Sequence, residues 1–221
     1  MINAYLLFIQ KKYAIILPMK KEYLAKMGID VFVPKEKTPS DPWKNLIEKV
    51  KKCKLCDLHT TRTQTVFGVG NQQAKLMLIG EAPGANEDLK GEPFVGRGGM
   101  LLNSMLASIN LKRSDVYIAN ILKCRPPNNR DPLPNEVTLC TPYLIEQIDL
   151  MKPKLIVAVG RIAAQFLLNT KESMSKLRGH EYIYGPQNTP LLVTYHPAYL
   201  LRSPTEKSKA YQDMLLIKNK L

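Results

Sequence analysis

Four short apolar runs recur along the chain, Lys75–Ile79, Val116–Asn120, Leu155–Val159 and Leu191–Tyr195. The first is closed by Gly80, and the length and bounding residues of such runs predict buried strands. Between them the apolar spacing turns helical, over Trp43–Lys52, Gly99–Ile109, Asn135–Met151 and Ile162–Leu168. A helical tail follows from Ser203, with Ser203 or Thr205 as candidate cap. Strands separated by helices imply parallel pairing with right-handed crossovers. Ligands on such a sheet bind at the carboxyl ends of the strands. The loops that matter therefore follow Ile79, Asn120 and Tyr195.

Residues 1–40 stand apart as an N-terminal extension and linker. They carry a basic, partly apolar start, and Pro34, Pro39 and Pro42 mark the join. Met19, followed by Lys20 and Lys21, is the expected translation start. Residues 41–221 form the folded domain.

Hydrophobic residues make up 45% of the chain, which excludes a disordered protein. No apolar run is long enough to span a bilayer, and the N-terminal stretch lacks the layout of a secretory signal. A cytoplasmic monomer is expected. The formal net charge of +13 suggests a polyanionic partner, since each neutralised phosphate releases a counterion. Charge alone does not separate DNA from RNA or from an anionic membrane.

In a reducing compartment the four cysteines read as ligands or free thiols. Cys53 and Cys56 form a C-x2-C pair, whose spacing lets two thiolates converge from one tight turn. Cys124 and Cys140 follow at longer spacing, one after the second strand and one in the next helix. A four-thiolate site would pin the segment before the core to the 125–140 loop. Spacing alone fits zinc as well as a [4Fe–4S] cluster, and by itself favours zinc slightly.

Three loops carry candidate chemistry. The stretch from Gly80 to Asp88, GEAPGANED, follows the first strand and offers backbone N–H groups and carboxylates over the sheet edge. In EPFVGRGG, residues 92–99, Phe94 sits in a glycine-bounded loop where stacking is as plausible as anchoring. In YHPAYLLR, His196 lies just past the fourth strand, with Pro197 fixing the turn. No G-x-G-x-x-G follows the first strand, which argues against a dinucleotide-binding domain.

Taken together, the C-x2-C pair, GEAPGANED, EPFVGRGG, Asn120 before KCRPP, Cys140 and HPAYLL resemble the family 4 (iron–sulfur) uracil-DNA glycosylases, from about Cys53 to Lys209. The resemblance implies a three-layer α/β/α sandwich around a central four-stranded, mainly parallel sheet. It implies a DNA repair enzyme that hydrolyses the N-glycosidic bond of deoxyuridine, releasing uracil and leaving an abasic site. It replaces the zinc preference with a [4Fe–4S] cluster on Cys53, Cys56, Cys124 and Cys140. It implies that Phe94 stacks on the flipped base, Asn120 reads uracil, Glu87 lies beside C5 to refuse thymine, and His196 hydrogen-bonds O2. Glu81 is the candidate for positioning water. Ala82 belongs to the same uracil pocket, at the position where the best-studied branch of the superfamily has an aspartate. Leu200 resembles the residue that wedges into the minor groove, and Arg202 with the lysines near Cys53 would grip phosphates. The covalently trapping relatives need a histidine in the loop after the second strand; residues 125–132 contain none, so turnover is expected. The alternative is a non-catalytic, metal-stapled DNA-binding module attached to a DNA polymerase. Such a module has no need of Glu81, Phe94, Asn120 and His196 together.

Overall fold

The computed structural model describes residues 41–221, and Lys26 before them. Expectations for the rest of residues 1–40, the Met19 start and the linker among them, lie outside the described residues.

Helix α1 (Pro42–Lys51) opens the domain. Asp41 caps it by accepting from the Trp43 amide at 3.0 Å, and Pro42 takes the first-turn position where no N–H is needed. Its Leu46 and Val50 are fully buried. The sheet contains six strands among the described residues: β1 (Val69–Gly70), β2 (Leu76–Gly80), β3 (Tyr117–Asn120), β4 (Leu155–Val159), β5 (Tyr182–Tyr184) and β6 (Thr189–Thr194). Their order is β1-β3-β2-β4-β6-β5. The four inner strands are parallel and match the four expected runs. The sheet is nevertheless mixed and larger than expected, because β1 and β5 pair antiparallel on its two edges. A two-residue and a three-residue edge strand leave no readable periodicity.

The three-layer arrangement follows from the pleat. Every residue of β2 and β4 is buried, yet successive side chains enter opposite cores. Leu76, Leu78, Val157 and Val159 face one core, filled by Leu102, Met105 and Leu106 of α4 (Arg97–Ala107) and by Ala210, Met214 and Ile217 of α9 (Lys207–Lys220). Met77, Ile79, Ile156 and Ala158 face the other, against Leu144, Ile148 and Met151 of α5 (Pro134–Met151) and Ala163, Ala164 and Leu167 of α6 (Arg161–Leu167). Each buried aliphatic side chain contributes about 1.5–3 kcal/mol, so the two faces together hold the strand ends in fixed register. The tail differs in detail from expectation. Neither Ser203 nor Thr205 caps it: a single 3-10 turn, Pro204–Glu206, comes first, and α9 starts at Lys207 without a side-chain cap.

One buried ion pair ties β6 to the α9 layer. Arg178 grips Asp213 with Nε and Nη2, both at 2.7 Å, and Thr194 donates to the same carboxylate at 2.9 Å. The guanidinium also lies 4.3 Å from the centre of the Tyr195 ring. Both partners are nearly inaccessible, so removing one leaves an uncompensated buried charge. Arg178→Met is expected to cost about 3–5 kcal/mol, read as a lowered urea midpoint with an unchanged slope. An unshifted midpoint would show the pair to be energetically idle.

Candidate active site

The chain leaves β2 in one direction, towards β3, and leaves β4 in the other, towards β6. Loops at that switch point part and leave a crevice at the carboxyl ends. A cavity of about 590 Å³ occupies it, and all three loops singled out in the sequence reach it. Of the expected pocket residues, Glu81, Ala82, Glu87, Phe94, Asn120 and His196 all line it, with Arg202 at its edge.

Asn120 is the last residue of β3 and 2% exposed. Its Oδ1 is the only buried side-chain polar atom without a hydrogen-bond partner among the described residues. An orphan acceptor of this kind is costly to bury, and one on a cavity wall is suited to a ligand's donor. Next to it stands Phe94, whose ring is buried and whose backbone takes the left-handed φ of 53°. That conformation is unfavourable for a bulky residue and needs external support. Arg113 supplies some, donating to the carbonyls of Phe94, at 3.2 Å, and Pro93. Glu87 supplies the rest: its Oε1 accepts from the amides of Val95 at 3.1 Å and Gly96 at 3.4 Å. Gly80 makes the juxtaposition possible. A β-carbon there would lie 2.4 Å from Asn120 Oδ1 and 2.8 Å from the Phe94 ring. Gly80→Ala is therefore expected to displace both groups and cut activity at least tenfold while the protein stays folded. Wild-type activity in that variant would show that the fit is loose.

His196 caps helix α8 (Pro197–Arg202) by accepting from the Ala198 amide at Nδ1, 3.1 Å away. An Nδ1 that accepts leaves Nε2 to carry the proton, so the tautomer is fixed by the fold. Burial pushes the imidazole down to about 4; Arg202 lowers it further and Glu87 opposes the shift. The ring is thus a neutral Nε2–H donor at physiological pH. Its centre lies 5.4 Å from that of Phe94, with 31° between the planes. Gly160 permits this placement, since a β-carbon there would sit 2.9 Å from the His196 β-carbon.

Glu81 follows β2 directly, and its carbonyl accepts from the Leu122 amide at 3.0 Å. Burial raises its carboxyl to about 7, with Asp131 adding to the shift and Arg161 opposing it. Sequence reasoning did not find Asp131 or Arg161. They pair at 3.4 Å from the loop after β3 and the first turn of α6, and no local motif joins them. A second, more open cavity of about 560 Å³ shares Glu81, Asp131, His196 and Arg202 with the first and continues past Arg161 and Tyr199.

One expectation needs correction. Leu200 is 1% exposed and packs in the core facing α4 and α9, so it cannot act as a wedge from this position. Helix α8 turns it inward and turns Tyr199 outward, at 37% exposure.

The four cysteines share one small recess, lined also by Arg62, Lys123 and Tyr143. Arg62 donates to Cys124 Sγ at 2.9 Å and to the Cys53 carbonyl at 2.8 Å, while the Lys123 amide donates to Cys140 Sγ at 3.2 Å. Burial raises the thiols of Cys56, Cys124 and Cys140, the last to about 11. Among the described residues no group of three or more His, Cys, Asp or Glu is placed to hold a metal ion.

The chain also resembles known proteins. The family model of the uracil DNA glycosylase superfamily matches residues 67–217. A type-4 uracil-DNA glycosylase of Archaeoglobus fulgidus is 46% identical over 175 residues, covering 76% of this chain and 88% of that protein. Type-4 uracil-DNA glycosylases of Thermotoga maritima and Sulfurisphaera tokodaii are 46% and 42% identical, over 71% and 80% of this chain and 81% and 84% of their own lengths. The chain belongs to the uracil-DNA glycosylase superfamily, in its type-4 branch.

Proposed function

We propose that the protein excises uracil from DNA by hydrolysing the N-glycosidic bond, leaving an abasic site. The observation that carries this is the orphan Oδ1 of Asn120 beside the Phe94 ring and the Nε2–H face of His196. A base inside a duplex is out of reach, so the nucleotide is flipped out of the stack. Phe94 then covers the face of the ring, which adds affinity without choosing among bases. Asn120 chooses: its Oδ1 accepts from uracil N3–H and its amide donates to O4, a pattern cytosine reverses. Glu87 closes the pocket beside C5. Two main-chain amides hold its carboxylate, so it does not swing aside for the methyl group of thymine.

As the glycosidic bond lengthens, the sugar gains positive character and uracil gains negative charge. His196 Nε2–H donates to O2 where that charge appears, and a neutral imidazole does so without surrendering its proton. Ala82 brings no titratable group, so water is held by Glu81 as its carboxylate. Activity is then expected to rise with pH through about 7, as Glu81 ionises, because its ordinary value is raised. His196 stays neutral throughout that window. Glu81→Gln should flatten this acid limb and lower the plateau rate; a limb unchanged in the variant would assign the titration elsewhere.

The same reading puts a [4Fe–4S] cluster on Cys53, Cys56, Cys124 and Cys140. The four cysteines are not drawn together as a ligand set, but all four line one recess, Arg62 and the Lys123 amide hydrogen-bond to sulfur there, and the chain has no other cysteine, so the donor type supports iron. Burial favours the neutral thiol at Cys56, Cys124 and Cys140, and a bound metal's charge is what keeps such sulfurs as thiolates. When bound, the cluster would cross-link the turn after α1, the loop after β3 and α5. The purified protein should be brown and carry about four irons; a colourless protein with stoichiometric zinc would reject the assignment. DNA is gripped by Arg202 at the cavity and by the lysines near Cys53. The enzyme acts as a cytoplasmic monomer. No helix among the described residues is long and apolar enough to cross a membrane.

The decisive experiment offers the purified protein a uracil-containing oligonucleotide in U:G, U:A and single-stranded form. Free uracil and an alkali-labile site are expected. Tight binding with no uracil released would favour the non-catalytic module instead.

A further inference from the structure

Lys123 is the largest fully buried side chain among the described residues, 1% exposed. A lysine ammonium survives burial only where acceptors compensate for the lost water. Here two do: the main-chain carbonyl of Asn120 at 2.8 Å and Gln147 Oε1 at 2.6 Å. Gln147 is itself fixed, its amide donating to the Phe67 carbonyl at 3.0 Å and the Tyr117 hydroxyl at 3.2 Å. The main-chain amide of Lys123 reaches the other way, to Cys140 Sγ at 3.2 Å. Lys123 does not line the base-sized cavity, so it does not touch the substrate.

The surroundings of Asn120 explain why such a brace matters. No protein donor reaches its Oδ1, so no hydrogen bond to that oxygen holds the carboxamide in position. Its direction is inherited from the main chain. The β2–β3 pairing fixes that chain up to Asn120, and the Ile121 and Leu122 amides bond to the Gly80 and Glu81 carbonyls just beyond it. The carbonyl of Asn120 itself is held by the Lys123 ammonium.

We propose that Lys123 is a positioning residue for base recognition: its ammonium locks the Asn120 main chain, and its amide anchors the same turn to Cys140. The proposal rests on the uracil reading and adds to it. The cysteine site and the base reader are joined through one residue, so the staple at Cys140 preorganises recognition as well as holding the fold.

A double-mutant cycle separates this from a merely structural role. Lys123→Met keeps the length and apolar stem of the side chain and removes a buried charge, so it is expected to fold. Single-turnover kcat/KM on a uracil oligonucleotide is measured for wild type, K123M, N120A and the double variant, with iron content and thermal midpoint followed in each. K123M should lose about 30-fold in the wild-type background and under about threefold in the N120A background, with iron retained. If K123M proves insoluble, Lys123→Met with Gln147→Leu removes both ends of the buried contact and should give the same coupling to Asn120. Equal losses in both backgrounds, or a fully active K123M beside an inactive N120A, would overturn the proposal alone. A fully active N120A would overturn the uracil reading and this proposal with it.

Discussion

Asn120→Ala is expected to lower kcat/KM for uracil excision by about a thousandfold while the protein stays folded. The size follows from what the residue faces. Its Oδ1 is buried and unpartnered in the free protein, so the cost of desolvating it is already met by the fold. A base that offers N3–H and O4 recovers that cost, and a base that does not leaves two polar groups unpaired in a dry pocket. The loss should therefore appear mainly in KM, with kcat less affected, because ground state and transition state use the same pair. Steady-state kinetics on uracil and cytosine oligonucleotides measure it, and near-wild-type discrimination in the variant would move base reading to another residue. Phe94 would not substitute, since a ring face accepts every base.

His196→Ala is the second large effect, and its pattern should differ. The histidine donates where charge develops as the bond breaks, so its loss should fall on kcat, by about 10²–10³, with KM little changed. Three features set the magnitude. The Ala198 amide fixes the Nε2–H tautomer without energetic compromise, because it is also the cap of α8. Burial keeps the ring neutral down to about 4, so no proton is lost to solvent at working pH. Gly160 leaves the space in which the ring stands. His196→Gln retains an N–H donor but not its direction, and should recover only part of the rate. A raised KM with kcat unchanged would instead mark His196 as a ground-state binder.

The sheet and most of the pocket were legible in the sequence for a shared reason. The four inner strands are buried on both faces, which produces unbroken apolar runs, and their carboxyl-end loops carry distinctive residues at short range. Asn120, His196 and Glu81 each close or follow such a run, Phe94 stands in a glycine-bounded loop, and the family resemblance named their roles. What was not legible depends on distant partners. The edge strands β1 and β5 are too short to show a period, although Gly185 and Asn188, both with positive φ, mark the hairpin between β5 and β6. Leu200 carried a wedge role by resemblance, yet its burial is decided by how α8 lies against α4, which no local motif states. Lys123 reads as one more basic residue in a basic chain; its burial depends on Gln147, 24 positions later. The pairing of Asp131 with Arg161, 30 positions apart, is of the same kind. The raised value of Glu81 was equally invisible, because desolvation is a property of the closed crevice and not of the motif.

The account comes down to one base held by three groups, and a crystal structure of the protein soaked with free uracil tests that directly. The ring should lie flat on Phe94, with N3 within hydrogen-bond distance of Asn120 Oδ1 and O2 facing His196 Nε2. Uracil bound elsewhere, or bound here with N3 turned away from Asn120, would contradict it.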